Sequence, residues 1–246
     1  MKSKPYVKFL NRSKHLVADM ELIDVLAINS SMGKLSKKGP GYLFNFVNAD
    51  QHPTLAARKN SPHNRRLAIR HLKASFCAAF IKELYEDFSL YIQEILFLAA
   101  KNGLKPGQLI GDHNFNIDAN TLLGIGGWDE VVRWVSNDLF RKLENERSTK
   151  KLLEKIIAKL GLKNLENTIE SALPYLDVRH KLVHADGIAD DVFKKSHPSV
   201  KILENDKIFL DFEVAQKAKL TISAMILEID RSIIANGLLS KADLQK

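Results

Sequence analysis

At 246 residues the chain is long enough to bury about 70% or more of its unfolded surface, in one domain or a domain with an appendage, with no disulfide or metal required to hold it. The single cysteine, Cys77, excludes an internal disulfide framework and suits a reducing compartment, and the basic N-terminus lacks the apolar run of a secretory leader, so a cytoplasmic protein without membrane association is expected. The net charge of +8 is unevenly placed: residues 1–75 hold fourteen Lys or Arg against four Asp or Glu, an excess that attracts polyanions without reading their sequence.

In chain order, residues 15–30 carry enough apolar side chains for a helix (Leu16, Val17, Met20, Ile23, Leu26, Ala27). Residues 31–64 contain Gly39-Pro40-Gly41, Pro53 and Pro62 and read as a long irregular connection, so residues 1–66 form a basic N-terminal helix and arm ahead of a helical domain over 67–246. From Leu67 onward Cys77, Ile81, Leu84, Phe88, Ile92, Ile95 and Ala99 recur in steps of three or four, which predicts a long helix ended by Asn102-Gly103. Its stripe is read as core or dimer contact. Residues 103–127 hold six of the twelve glycines, with His113, Asn114 and Asp118 among them, but neither a phosphate-binding loop nor a dinucleotide fingerprint, so no nucleotide cofactor is expected.

Helices are expected over 128–143 and 149–160. The second lies in a basic run, residues 141–163, whose eight positive and three negative side chains make Lys150, Lys151, Lys155 and Lys159 candidates for tracking an RNA backbone; a solvated helix face is the alternative reading. Pro174 suits a first turn and Gly187 the left-handed position past a C-terminus, so residues 175–185 read as a short helix. Residues 200–203 and 207–210 flank Glu204-Asn205-Asp206 as a small hairpin, and 212–235 form a last helix before Asn236-Gly237. The expected fold is all-α with a small β-hairpin near the C-terminus.

Chemistry rises above this background once, at Arg179-His180-Lys181-Leu182-Val183-His184 followed by Ala185-Asp186-Gly187. A permanent cation beside imidazoles that can exchange protons is what holding a phosphate and moving protons around it requires. At about 100° per residue, His180 and His184 share a face, whereas Arg179 points about 140° away from His184, and a second copy would supply the missing angle. The histidines have the i, i+4 spacing of a zinc pair, but Lys181 stands where a metalloprotease places Glu and Arg179 adds a repelling charge, so no metal is expected. No Gly-x-Ser-x-Gly elbow occurs, and Cys77 sits on an apolar stripe.

These residues resemble the signature of the HEPN superfamily (higher eukaryotes and prokaryotes nucleotide-binding domains): arginine, a polar residue, a few residues, then histidine, near the end of a helix in an all-α domain. Arg179, His180 and His184 match it, and the resemblance extends over roughly residues 75–235. It implies a HEPN-like bundle and a metal-independent endoribonuclease of toxin or antiviral type, with the motifs of two protomers meeting across a two-fold axis.

In such a site His184 acts as general base or acid toward a ribose 2′-hydroxyl, Arg179 holds the phosphate, His180 orients the phosphate or leaving group, and Lys181 adds positive potential. The expected partners are RNA, a second copy and an antitoxin or other regulator. Two other classes stay open: a non-catalytic HEPN-like RNA-binding or adaptor module, and a helical interaction protein in which Arg179 and His184 stabilise a dimer seam. A surface ion pair of Arg179 with Asp177 or Asp186, and a helix-end histidine offsetting the macrodipole, are the plainer alternatives.

Overall fold

The computed structural model describes residues 1–35, 37, 39, 42–45 (backbone alone at 43 and 45), 47–111, 116–146 and 148–245. Of the sequence expectations, Pro40 and Gly41 of the glycine-proline turn, together with His113 and Asn114, lie outside the described residues.

The described residues are predominantly helical, as expected. A two-residue strand β1 (Lys2–Ser3) leads into α1 (Lys4–Ser31), which begins eleven residues ahead of the helix read from apolar periodicity. The reason is a cap. The Ser3 hydroxyl accepts from the Tyr6 amide at 3.1 Å, and Pro5 falls in the first turn, where its missing N–H costs nothing. Short helices α2 (Tyr42–Asn45) and α3 (Pro53–Ala56) punctuate the connection that follows. α4 (Pro62–Lys101) is then launched by its own proline, five residues before the expected start, and runs for 40 residues, about 60 Å at 1.5 Å each.

The apolar stripe of α4 is core along its whole length: Cys77, Ile81, Leu84, Phe88, Ile92, Ile95 and Ala99 are all fully buried. Cutting any of its Ile, Leu or Phe side chains back to Ala should cost about 2–5 kcal/mol, transfer and cavity terms together.

The glycine-rich stretch supplies α5 (Pro106–Ile110) and α6 (Ala119–Gly124), the latter capped by Asp118, which accepts from the Thr121 amide at 2.8 Å. α7 (Trp128–Glu144) and α8 (Thr149–Leu160) match the expected helices, with Ser148 capping α8 and Gly161 closing it in the left-handed region. α9 (Glu166–His184) corrects the reading of residues 175–185. The helix starts nine residues earlier and Pro174 lies inside it. Ile169, Ala172, Leu173 and Leu176 are buried along one side of α9 and Val178 on the opposite side, and that burial carries the helix through a residue that lacks one backbone donor.

Beyond a turn lie α10 (Asp191–Ser196) and the expected hairpin in minimal form: a single bridge, Ile202 with Ile208, with Leu203 N–H donating to Lys207 O at 2.8 Å and Phe209 N–H to Lys201 O at 2.9 Å. The last long helix, α11 (Phe212–Ala235), has the limits read from the sequence. A 3₁₀ turn (Lys241–Asp243) and β2 (Leu244–Gln245) follow, and β2 pairs antiparallel with β1, Ser3 opposite Leu244. No helix among the described residues is long and apolar enough to cross a membrane.

By contacts the chain divides into two units that do not follow its linear order. One comprises Met1–Ser13, Leu84–His180 and Ala218–Lys246; the other comprises Lys14–Glu83 and Lys181–Lys217. In the first, the second half of α4 is buried with Leu139, Phe140 and Leu143 of α7, Leu153 and Ile156 of α8, and Ile222, Ile226 and Ile229 of α11. In the second, Phe80, Ile81 and Cys77 of α4 are buried, as are Phe193, Ile208 and Ala215.

Cys77 is fully buried, and burial first, then the Asp211 charge, pushes its thiol up to about 12. At pH 8 about one thiol in ten thousand is then ionised, so alkylation by iodoacetamide should be negligible in the native chain and rapid in urea. Ready labelling without denaturant would contradict this placement.

Candidate functional site

The Arg179-to-His184 segment forms the last turn and a half of α9. His180 and His184, four residues apart, are both exposed, as helical spacing requires of residues on one outward face. Arg179 is half-buried. Its guanidinium carbon lies 4.0 Å from the centroid of the Tyr85 ring on α4, and its Nε is buried without a hydrogen-bond partner. A planar cation over an aromatic face gains about 0.5–2 kcal/mol and loses rotamer freedom, so this arginine is held in place before any ligand arrives. Burial raises the Tyr85 phenol above its ordinary range, the Arg179 charge partly opposes that rise and Glu144 reinforces it; the ring therefore stays neutral and keeps its full π face toward the cation.

The end of α9 is built to stop. Ala185 N–H and Gly187 N–H both donate to the Lys181 carbonyl, at 3.0 and 2.9 Å, and Asp186 and Gly187 take left-handed φ values of 50° and 74°. Glycine enters that region freely and Asp tolerates it, whereas most side chains do not. A Cβ at Gly187 would sit 3.4 Å from Leu182 Cδ2, an ordinary contact, so Gly187→Ala should cost only the backbone strain, about 1–2 kcal/mol, and lower Tm by roughly 2–8 °C. An unchanged thermal midpoint would show that the turn relaxes.

Lys181 is spent within its own chain: its ammonium pairs with Asp190 at 2.6 Å, and Asp190 at the same time caps α10 by accepting from the Phe193 amide at 2.9 Å. The Lys181 bond first, and the Phe193 amide second, hold the Asp190 carboxyl below the usual range. The imidazoles at the end of α9 therefore project from a turn pinned to the next helix.

The four candidate RNA-binding lysines of α8 fall into different settings. Lys150 pairs with Glu170 and Lys155 with Glu146, while Lys159 donates to the Leu109 and Ile110 carbonyls at 2.7 and 3.2 Å, closing the end of α5. Lys151 is exposed, and its side chain has no ion-pair partner among the described residues. Solvent screens exposed pairs of this kind, so Lys150 and Lys155 can exchange a carboxylate for a phosphate at small cost. Lys159 would have to give up two carbonyls. Among the described residues no group of three or more His, Cys, Asp or Glu is arranged to hold a metal ion.

Sequence periodicity missed Tyr85 as part of the site. It lies one residue after Leu84 of the buried stripe, outside the three- and four-residue steps that define that stripe; the available signal was a phenol beside an apolar face. Periodicity also missed a buried polar cluster. Asp230 of α11, 1% exposed, accepts the Ser3 amide at 3.1 Å, the Ser3 hydroxyl, and the Tyr91 hydroxyl at 3.3 Å. Tyr91 is held well above the usual phenol range by burial and by the Asp230 charge, so it is a donor here, and the cluster is a clasp for the N-terminal strand.

Comparison with known proteins adds no relative: no family model matches the chain, no curated protein matches it, and no solved structure matches it.

Proposed function

We propose that the chain is a metal-independent endoribonuclease of HEPN type, acting in a toxin or antiviral-defence setting, with Arg179 and His184 drawn from two copies at each cleavage site. The observation that carries this reading is the state of Arg179: a guanidinium held over the Tyr85 ring, 4.0 Å from its centroid, on the helix whose last turn exposes His180 and His184. A cation oriented before its ligand arrives is preorganised for an anion, and electrostatic preorganisation is the main protein contribution to phosphoryl chemistry.

The reaction uses RNA's own nucleophile. His184 takes the proton of a ribose 2′-hydroxyl, the oxygen attacks the adjacent phosphorus, and the P–O5′ bond breaks. The leaving oxygen collects a proton from a second acid, a role we assign to His180 or to a histidine of the second copy. Arg179 stabilises the charge on the non-bridging oxygens. The products carry a 2′,3′-cyclic phosphate and a 5′-hydroxyl, and DNA, lacking the nucleophile, is not cut.

Two copies are part of the proposal because Arg179 and His184 lie about 140° apart around one helix, and an isologous contact brings both cations to one groove. Like-charged motifs repel, so apolar residues elsewhere supply the association energy. Incubating the purified chain with RNA in EDTA tests this: cyclic-phosphate ends are expected, with the matching DNA left intact and light scattering giving twice the chain mass. No cleavage, or cleavage only with magnesium, would overturn it.

The alternative, a non-catalytic RNA-binding or adaptor module, is favoured by one feature: a half-buried arginine stacked on tyrosine also serves packing. RNA binding without any product would select it.

A further inference from the structure

Between Asp50 and Glu83 the sequence has no acidic residue in 32 positions, and seven cations: Arg58, Lys59, Arg65, Arg66, Arg70, Lys73 and Lys82. Most of this stretch is the first half of α4, where no residue before Cys77 is buried. Lys73 is paired with Asp24 at 2.6 Å and Arg65 donates to Asn60 at 2.6 Å. Arg66 and Arg70, exposed and four residues apart on one face, have neither an ion-pair nor a hydrogen-bond partner among the described residues.

Elsewhere several helical cations are answered by an acid three or four residues away, as in Lys142 with Asp138, Lys217 with Glu213 and Arg231 with Glu228, which the absence of acids from 51 to 82 forbids here. That absence also runs against the helix itself. The first turn of α4 has no acidic residue, so Arg65 and Arg66 sit at the positive end of the macrodipole, an arrangement that costs a few tenths of a kcal/mol per charge and that folding alone would not select. Arg66 and Arg70 continue the face occupied further along by Cys77, Ile81 and Leu84, so the stripe that is core in the rest of the helix turns cationic where it is uncovered.

We propose that the first half of α4 is a nucleic-acid docking face on which Arg66 and Arg70 grip successive phosphates of an RNA strand, flanked by Arg58, Lys59 and Arg65. The identification of the polyanion as RNA rests on the ribonuclease reading above; the docking face itself does not. The two guanidiniums are about 6 Å apart along the helix axis, within reach of neighbouring phosphates, and their planar forks favour bidentate contacts. The face is sequence-neutral, since it offers charge without groove geometry.

Fluorescence anisotropy with an unstructured RNA oligonucleotide, titrated at several salt concentrations in the His184→Ala background to prevent cutting, tests the proposal. Arg66→Gln/Arg70→Gln should weaken binding about tenfold or more near 0.1 M salt and flatten the log–log salt slope by about 1.4, twice the 0.7 released per single-strand phosphate. A DNA strand of the same sequence should show the same loss. The control Lys217→Gln/Arg231→Gln removes equal charge from α11 and should change little. An unaltered slope, an equal loss in the control, or binding to phosphatidylserine vesicles in place of RNA would overturn the docking face. Binding that depends on Arg66 and Arg70, with no cleavage by the unmutated chain, would overturn the catalytic reading and leave the docking face standing.

Discussion

His184→Ala is expected to lower RNA cleavage by about a hundredfold or more, the usual share of a positioned acid–base group. The residue is exposed at the end of α9 in a turn closed by backbone bonds and by the Lys181–Asp190 pair, so folding should survive, with a stability change within about 1 kcal/mol. Loss of activity with an unchanged melting curve therefore separates chemistry from structure. Arg179→Lys provides the second arm. Lysine keeps the charge but gives up the planar stack on Tyr85 and the forked donors, so cleavage should fall although net charge is unchanged. Mixing the His184→Ala and Arg179→Lys chains should restore part of the activity if two copies build each site. Full activity in His184→Ala would overturn the assignment of the base.

Asp230→Ala should be the most damaging single change to stability. It strands three buried donors, the Ser3 amide, the Ser3 hydroxyl and the Tyr91 hydroxyl, in surroundings where Ser3 and Tyr91 are themselves 0% and 2% exposed. At about 1–3 kcal/mol for each unsatisfied group, the loss should reach about 3–9 kcal/mol and lower Tm by roughly 6 °C or more. Because the Ser3 hydroxyl also caps α1, Ser3→Ala should cost about 1–2 kcal/mol, and the double variant should fall short of the sum by at least about 0.5 kcal/mol. Urea unfolding of the four chains decides it. Additive losses, or a loss below about 1 kcal/mol for Asp230→Ala, would show that the carboxyl does not hold the N-terminal strand.

The helices whose limits were legible in the sequence are those whose signals are local. α11 lies between Asp211, which accepts the Val214 amide, and Asn236-Gly237; α8 lies between the Ser148 cap and Gly161. The start of α1 was equally local but hidden, because Ser3 with Pro5 signals a helix N-terminus and the residues behind it, Lys4 to Lys14, show weak apolar periodicity. Pro174 misled for the opposite reason. Proline at a first turn is the commoner local choice, and only the burial of Ile169, Ala172 and Leu173 keeps residues 166–174 helical. The hairpin near residue 205 was visible in its turn residues, but its reduction to one bridge was not, since strand length depends on what the flanking residues pack against.

For the candidate site the division is similar. The sequence by itself determined the all-α class, the buried stripe of α4, the grouping of His180 with His184 on one face, and the left-handed turn at Gly187, because each follows from residue spacing or from one residue's backbone freedom. Tertiary structure alone decided that Arg179 lies on Tyr85, that Lys150, Lys155, Lys159 and Lys181 are engaged within the chain, and that Asp230 clasps Ser3 from 227 positions away. Those partners lie from nine to 227 positions apart, beyond the three- or four-residue spacing that a helical pattern records. A side chain's charge and shape limit which partners it can accept, but which one it meets is set by the packing of whole helices, and a linear pattern carries no record of that.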